Sequence, residues 1–377
     1  MTSSAVAAAR AVDTSRLTVG VEEEFLLLDP ATMANMHAAT AVVEALPADV
    51  RAQSRMEFRH SMIEMVTPVC ASLDEVGGHL HRHRRAAAEA ARTAGARLVA
   101  VAATPVGEPE RTVTDNPRYK AIAAHYGPIV DDPAVCGCHV HVGVPDRELA
   151  VQVCNQLRPW LPVVQALAVN SPVYAGADTA HASWRAMQLD RWPGLGPSPW
   201  LASAEDLDRT VALAVASGMM LDDSLILWHA RPSSAYPTVE VRVADVCPTT
   251  ADTVLLAGLV RALVATAIDD VAAGRFAPPI PDHTVRAAHW NAAHQGLSAT
   301  LLDVRRERAR PAWDLIADLT EAIGPALERS GDRHTIEAGL ARLSAEGTGA
   351  DRQRRLLAGS GDLRSMLDVL SRQSVDG

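Results

Sequence analysis

Three short segments of this chain carry charged or metal-binding side chains at positions i and i+2. They are Glu22 and Glu24 in VGVEEEF, His139 and His141 in CGCHVHVGV, and Glu240 and Arg242 in TVEVRV. Each segment alternates β-branched and polar residues as a strand does, and side chains two apart in a strand share a face at a spacing of about 6.5–7 Å. Val140, Val142, Val239 and Val241 then face a core. The polar pairs are left to meet on the other, open face of an antiparallel sheet. Carboxylates joined by imidazole suit hard divalent cations that also hold phosphate oxygens. Glu64 within IEMVT and Glu57 just before it extend the set. Any single pair could belong to a solvated strand face. Three pairs in flanks this apolar argue against that reading, because buried charge without a partner is costly.

Other clusters carry less chemistry. Cys136 and Cys138 fall on the opposite strand face from His139 and His141, so one tetrahedral zinc cannot collect all four, and the cysteines read as packing residues. His79 and His83 sit among His81, Arg82, Arg84 and Arg85, which reads as a solvated basic helix face. Arg305, Arg306, Arg308 and Arg310 lack interleaved aromatics and read as helix surface.

Composition narrows the chemistry further. The 377 residues include 35 Lys+Arg and 45 Asp+Glu, for a net charge of −10, and Lys120 is the only lysine. No glycine run precedes Lys120, and Pro117 occupies the serine position of a Ser-x-x-Lys hydrolase, so P-loop and Ser-Lys mechanisms are excluded. Nothing local supports a Schiff base at Lys120. Any phosphate must be handled by arginine and bound metal. The acidic balance argues against nucleic-acid binding, which rests on neutralising phosphates. Five cysteines, an odd and sparse number, do not form a disulfide framework. Arg10 interrupts the apolar N-terminus before it could act as a signal peptide, and residues 1–16 are expected to be a disordered tail. The longest uncharged run, 159–177, contains Pro162, Gln165, Asn170 and Pro172 and is no membrane span, so the cytoplasm is the expected location.

The elements that must position these residues follow from periodicity. Strands are expected over 18–28, 63–67, 98–102, 136–144 and 238–243. A helix over 72–95 opens with a Ser72/Glu75 capping box and stops at Gly95, one over 146–169 is kinked or divided at Pro159 and Pro162, and another covers 203–220. From 249 the strand signal ends, and 250–273, 283–308, 312–328 and 333–374 read as helices. The pattern predicts an α+β protein: a mainly antiparallel sheet with helices packed on one side and a helical C-terminal part over about 249–377.

The order and spacing of VGVEEEF, SMIEMVTPVC, TDNPRYK, CGCHVHVGVPDRE, NSPVYAGADT and RPSSAYPTVEVRVADVC give a specific likeness over about residues 17–370. The chain resembles the carboxylate–amine ligase family known as glutamate–cysteine ligase type 2, related in fold to glutamine synthetase. The resemblance implies a curved antiparallel sheet, one catalytic domain over 17–377, and an ATP-dependent reaction. In that reaction a carboxylate, such as the γ-carboxyl of glutamate, is phosphorylated and coupled to an amine such as cysteine. It implies magnesium, with manganese as a substitute, held by Glu22, Glu24, Glu57, Glu64, His139 and Glu240. His139, His141 and Arg231 would lie toward the nucleotide, and Arg231 and Arg242, with Glu64, would act on the transferring phosphoryl group. Arg185 and Asn170 would bind the substrate carboxylate. Homo-oligomers are common in the family. Two departures bear on the substrate pockets: Ala103-Thr104-Pro105 lacks a histidine that many relatives have, and His229 stands where many carry Asp. Two other readings remain at this point. One is a metal-dependent hydrolase using the His-x-His pair, which would bind a transition metal without ATP. The other is a catalytically silent ATP-binding relative.

Overall fold

The computed structural model describes residues 2–376. Its main sheet has seven strands: β1 (Val19–Leu28), β2 (Ser54–Met56), β3 (Met62–Val66), β4 (Arg97–Val99), β5 (Gly137–Gly143), β6 (Ala230–Pro232) and β7 (Thr238–Asp245). Their order is β6-β7-β5-β1-β3-β2, with β4 also paired to β1, and every pairing is antiparallel. The register between β5 and β7 shifts between Val241 and Ala244, a β-bulge next to the polar pair of β7.

The apolar alternates do face a core. Val19, Val21, Cys138, Val140, Val142, Val239 and Val241 pack with the helices α2 (Leu73–Thr93), α3 (Arg147–Leu157), α4 (Leu161–Leu167) and α6 (Thr250–Ala272). A short helix, α5 (Trp184–Leu189), lies between α4 and α6 in the chain. The break between α3 and α4 falls where Pro159 and Pro162 require it. Ser72 caps α2 by accepting a hydrogen bond from the Glu75 N–H, but the Glu75 carboxylate reaches Ala71 instead of closing the box on Ser72. Helix α6 is long and apolar enough to cross a membrane, yet 83% of its apolar window is buried inside the fold. It is the central core helix, which explains its weak sidedness.

Four expectations are corrected. Thr2–Arg10 is not a disordered tail but a helix, α1, whose Ala5 and Ala9 are buried against the core while Arg10 donates to the Ala272 carbonyl. Small alanines let the two helices approach closely. The stretch after α7 (Asp282–Gln295) is a hairpin, β8 (Thr300–Asp303) and β9 (Arg308–Pro311), before α8 (Ala312–Ser330). Arg305, Arg306 and Arg310 are therefore on this hairpin and not on a helix, gathered around Asp303 and Asp318. The basic face of α2 is not solvated throughout: His83 and Arg84 are fully buried. His83 meets Gln53 at 2.5 Å, and Arg84 pairs with Glu23. Finally, the C-terminal segment is three helices, Arg333–Glu346, Gly349–Ser360 and Leu363–Asp376, separated at Gly347 and Gly361, both of positive φ.

Candidate active site

Strand register assembles the site. Glu22 lies opposite His139, Glu24 opposite Glu64, His141 opposite Glu240, and Glu240 opposite Arg231. Cross-strand neighbours stand about 5 Å apart at Cβ, so this register alone draws charge from five strands into one cluster. The His139 Nδ1 is 3.1 Å from Glu22 Oε2, and its Nε2 is 4.0 Å from Glu24 Oε1. His141 Nε2 is 3.3 Å from Glu22 and 3.8 Å from Glu240, while its Nδ1 lies 2.9 Å from the Thr238 hydroxyl. Arg231 donates to Glu240 Oε2 at 2.8 Å, and Arg242 donates to Glu240 Oε1. Three groups hold ligand atoms within 4.8 Å of one another: Glu22, Glu64 and His139; Glu22, His141 and Glu240; and Glu24, Glu57 and Glu64. The face is not open to bulk solvent as the strand pattern suggested, since Glu64, His139 and Glu240 are buried.

The carboxylates divide into two kinds. Burial opposes ionisation of Glu22, but its contacts with His139 and His141 hold it well below the usual carboxylate range. Burial likewise opposes that of Glu240, and Arg242 with Arg231 overcomes it, bringing it down to about 2. Glu57 and Glu64 behave oppositely. Burial, with Glu24 beside it, pushes Glu57 up to about 8, and burial with Glu57 and Glu22 pushes Glu64 far up. These two acids sit among like charges without enough counter-charge from the protein. A divalent cation would supply what they lack, and these oxygen-rich donor sets, two with a single imidazole and one with none, fit a hard cation better than zinc.

Beside the cluster is a cavity of about 500 Å³, and Glu24, Glu57, His139, Arg185 and Arg242 reach it. Arg185, on α5, is held by Gly137: a Cβ there would lie 2.4 Å from the Arg185 Nη2. Its Nη1 is 3.9 Å from buried Asp245, while its buried Nε has no hydrogen-bond partner. Arg231, His141, Glu22 and Glu240 are in the cluster but not on the cavity wall.

Asn170 does not join this site. It is fully buried; its Nδ2 donates to the Ala100 and Val246 carbonyls, its Oδ1 accepts from Gln353, and its N–H donates to Asp245. With both Nδ2 hydrogens and the Oδ1 engaged by the backbone and Gln353, this side chain ties the scaffold together, away from the cavity wall. The cysteine reading agrees with the structure: Cys138 lies in the core, and all five cysteines are free and buried. Sequence reasoning missed Gly137, whose small size between two cysteines was the only signal. It also missed the cavity histidine His289, which nothing in its helix marks out.

Comparison with known proteins gives the same direction. The Glutamate-cysteine ligase family 2 description matches residues 18–369. A Salinispora arenicola protein carried under the provisional name glutamate–cysteine ligase 2 is 61% identical, covering 96% of each chain. A Nocardia farcinica protein provisionally named glutamate–cysteine ligase 2-1 is 43% identical over 96% of this chain and 94% of its own. Among solved structures, a Francisella tularensis glutamate–cysteine ligase in complex with AMP aligns with a TM-score of 0.67 at 13% identity, covering 96% of this chain and 89% of that one. A bifunctional glutathione synthetase from Pasteurella multocida has the same TM-score and identity, over 96% and 53% of the two chains.

Proposed function

This chain belongs to glutamate–cysteine ligase family 2, with a glutamine synthetase-like fold, and on that premise we propose how its sheet face carries out ligation. The γ-carboxyl of glutamate attacks the γ-phosphorus of ATP, the bond to the bridging oxygen breaks, and ADP leaves. An amine nitrogen, cysteine's in the relatives' names, then attacks the acyl carbon. Phosphate departs, and the nitrogen gives up a proton to leave an amide.

One observation carries the reading: five glutamates and two histidines from five chain segments converge on one buried patch, with Arg231 and Arg242 at its edge. Phosphoryl transfer needs little covalent chemistry from the protein and much charge neutralisation. Glu22, Glu24, Glu57, Glu64, Glu240 and His139 would hold magnesium, or manganese in its place, which supplies Lewis-acid charge to the phosphate oxygens. Arg242, at the boundary between cluster and cavity, would meet the transferring group, and Arg231, on the far side of Glu240, would meet the nucleotide phosphates with His141. Arg185 would clamp the substrate carboxylate, using the donor that has no protein partner. Burial of the face shields an acyl phosphate from water. A cytoplasmic location fits the free cysteines, and small-molecule substrates fit the enclosed cavity.

The test is ADP release by the purified protein with glutamate, a panel of amines, and magnesium or manganese. The expected result is ADP formation that requires both the carboxylate and the metal. Absence of stimulation by every carboxylate and amine pair would sink the reading.

A further inference from the structure

Part of the cavity wall is not explained by the carboxylate cluster. His229 and His289 pack there ring against ring, centroids 4.1 Å apart and planes at 61°. The His289 Nδ1 lies 2.5 Å from the Gln165 side-chain oxygen, which can only accept. That nitrogen therefore carries the proton, and Nε2 is left with a lone pair. Neither His289 Nε2 nor His229 Nδ1 has a hydrogen-bond partner, and the Oε1 of Gln188, another buried wall residue, also lacks one. A buried polar atom left unpaired is costly, and His289 Nε2 and Gln188 Oε1 are both acceptors on one cavity wall, so this wall suits a donor from a bound molecule in place of water.

The surface around them is apolar. Leu195 and Leu227 face each other across a two-residue parallel pairing that leads directly into His229. Trp192, packed edge-on against Phe58, and Trp290 complete the lining. Arg185 and Arg286 both act on His229, but Arg286 is paired at 3.1 Å with Asp190, which lines the same cavity, so Arg185 is the cation left to act there. It disfavours an ammonium ion and favours the free amine, the form able to attack an acyl carbon. Burial, with His229 alongside, pushes His289 far below its ordinary value and keeps its lone pair available.

We propose that this wall is the acceptor subsite, and that it takes a primary amine with a bulky branched or aromatic apolar body, its neutral N–H bonded to His289 Nε2. The inference rests on the ligase reading above. A cysteine-sized acceptor would leave most of this apolar lining in contact with water, whereas a larger body buries it at about 25 cal/mol per Å².

Hydroxylamine is small enough not to need this wall. It traps an acyl phosphate as a hydroxamate and so reports carboxylate activation by itself. With ATP, magnesium and a panel of amino acids and dicarboxylates including glutamate, hydroxamate formation is measured first. Amide formation is then compared for cysteine, methylamine, isopentylamine and 2-phenylethylamine. The expected result is kcat/KM at least ten-fold higher for the two bulky amines than for cysteine or methylamine. His289→Phe should raise KM for 2-phenylethylamine at least ten-fold more than KM for hydroxylamine, and His289→Gln, which restores an acceptor oxygen, should recover most of that loss. Leu227→Trp, which fills the wall, should move the preference back to methylamine, and it serves as a check should His289→Phe not fold. Hydroxamate formation with cysteine or methylamine as the preferred acceptor overturns this inference and leaves the ligase reading intact. Equal effects of His289→Phe on both nucleophiles would overturn the role of His289. No hydroxamate with any carboxylate overturns both.

Discussion

On the helix-packed face of the sheet, Glu23 lies fully buried and accepts from the Arg84 guanidinium at 2.9 Å through Nε, with the Thr253 hydroxyl 2.6 Å away. One residue to either side, Glu22 and Glu24 turn to the opposite face and join Glu57, Glu64 and Glu240. Both faces bury carboxylates, but they neutralise them differently. Glu23 has its charge matched inside the protein and ties the sheet to α2 and, through Thr253, to α6. The other face holds five acids against two arginines and two histidines, and Glu57 and Glu64 are the ones left short of positive charge. A buried charge that is fully paired within the fold serves stability; one left partly unpaired is available to a ligand.

Breaking the internal pair should give the largest effect on stability. Glu23→Ala leaves the Arg84 guanidinium buried without a partner, and urea denaturation should show a loss of about 3–5 kcal/mol. Glu64→Gln, one strand away on the other face, should instead leave stability in metal-free buffer unchanged or raised, because it removes a repelling carboxylate. The same substitution should cost about a hundred-fold or more in ADP release. Equal destabilisation by the two variants would remove the distinction between the faces.

Divalent metal should sharpen the contrast next. Magnesium at a hundred times its dissociation constant should stabilise the unsubstituted protein by about 2.7 kcal/mol, and a chelator should reverse it. The shift should vanish in the Glu57→Gln/Glu64→Gln double variant and persist with Glu23→Asp.

A graded effect, spread over several pH units, comes from titration. Burial holds His83 down to about 4 and His229 down to about 3, both below the ordinary histidine value near 6.5. Through these two groups the unfolded chain binds more protons than the folded one below about 6.5, so their contribution to stability falls as the pH drops from there, whereas the raised Glu57 and Glu64 contribute in the opposite sense in metal-free protein. Each such histidine contributes about 1.4 kcal/mol per pH unit within its window. Denaturation midpoints measured from pH 7 down to pH 4 should fall more, or rise less, in the unsubstituted protein than in His83→Gln.

A modest change in stability is expected for Gly137→Ala. The added Cβ meets the far end of the buried Arg185 side chain and comes within 3.1 Å of His139 Nε2, so the cost in folding should be about 1–3 kcal/mol, at the lower end if the guanidinium moves aside. Displacing that guanidinium should nevertheless raise KM for the carboxylate substrate about ten-fold, which steady-state kinetics would read directly.

Much of this was legible from residue spacing. A period of two cannot hide which face a strand residue occupies, so Glu22, Glu24, His139, His141, Glu240 and Arg242 could be placed together before any contact was known. The same parity put Glu23 on the wrong side for metal, but did not say what would neutralise it. Its partner Arg84 lay in the segment 79–85, six of whose seven positions are histidine or arginine, which reads as solvent-facing on local composition. Asn170 failed for a related reason. A polar residue in an apolar run can mark a pocket or a backbone tie, and only the positions of Ala100, Val246 and Gln353 distinguish the two. The hairpin at Thr300–Pro311 was hidden because its arginines are equally good helix formers, and its pairing depends on contacts with α7 and Asp318.

The chain's chemistry is thus largely a property of sequence: one lysine and a set of glutamates at strand spacing restrict phosphate handling to arginine and metal, because side-chain direction along a strand is local geometry. Charge balance is a property of the tertiary structure. Whether a carboxylate is paired within the fold or left for a ligand depends on which segments the register and helix packing bring beside it, and the partners of Glu23 are 61 and 230 residues away in the chain. The cavity with His229 and His289 is decided at the same level, since its walls come from segments that share no local pattern and acquire a common role only by meeting.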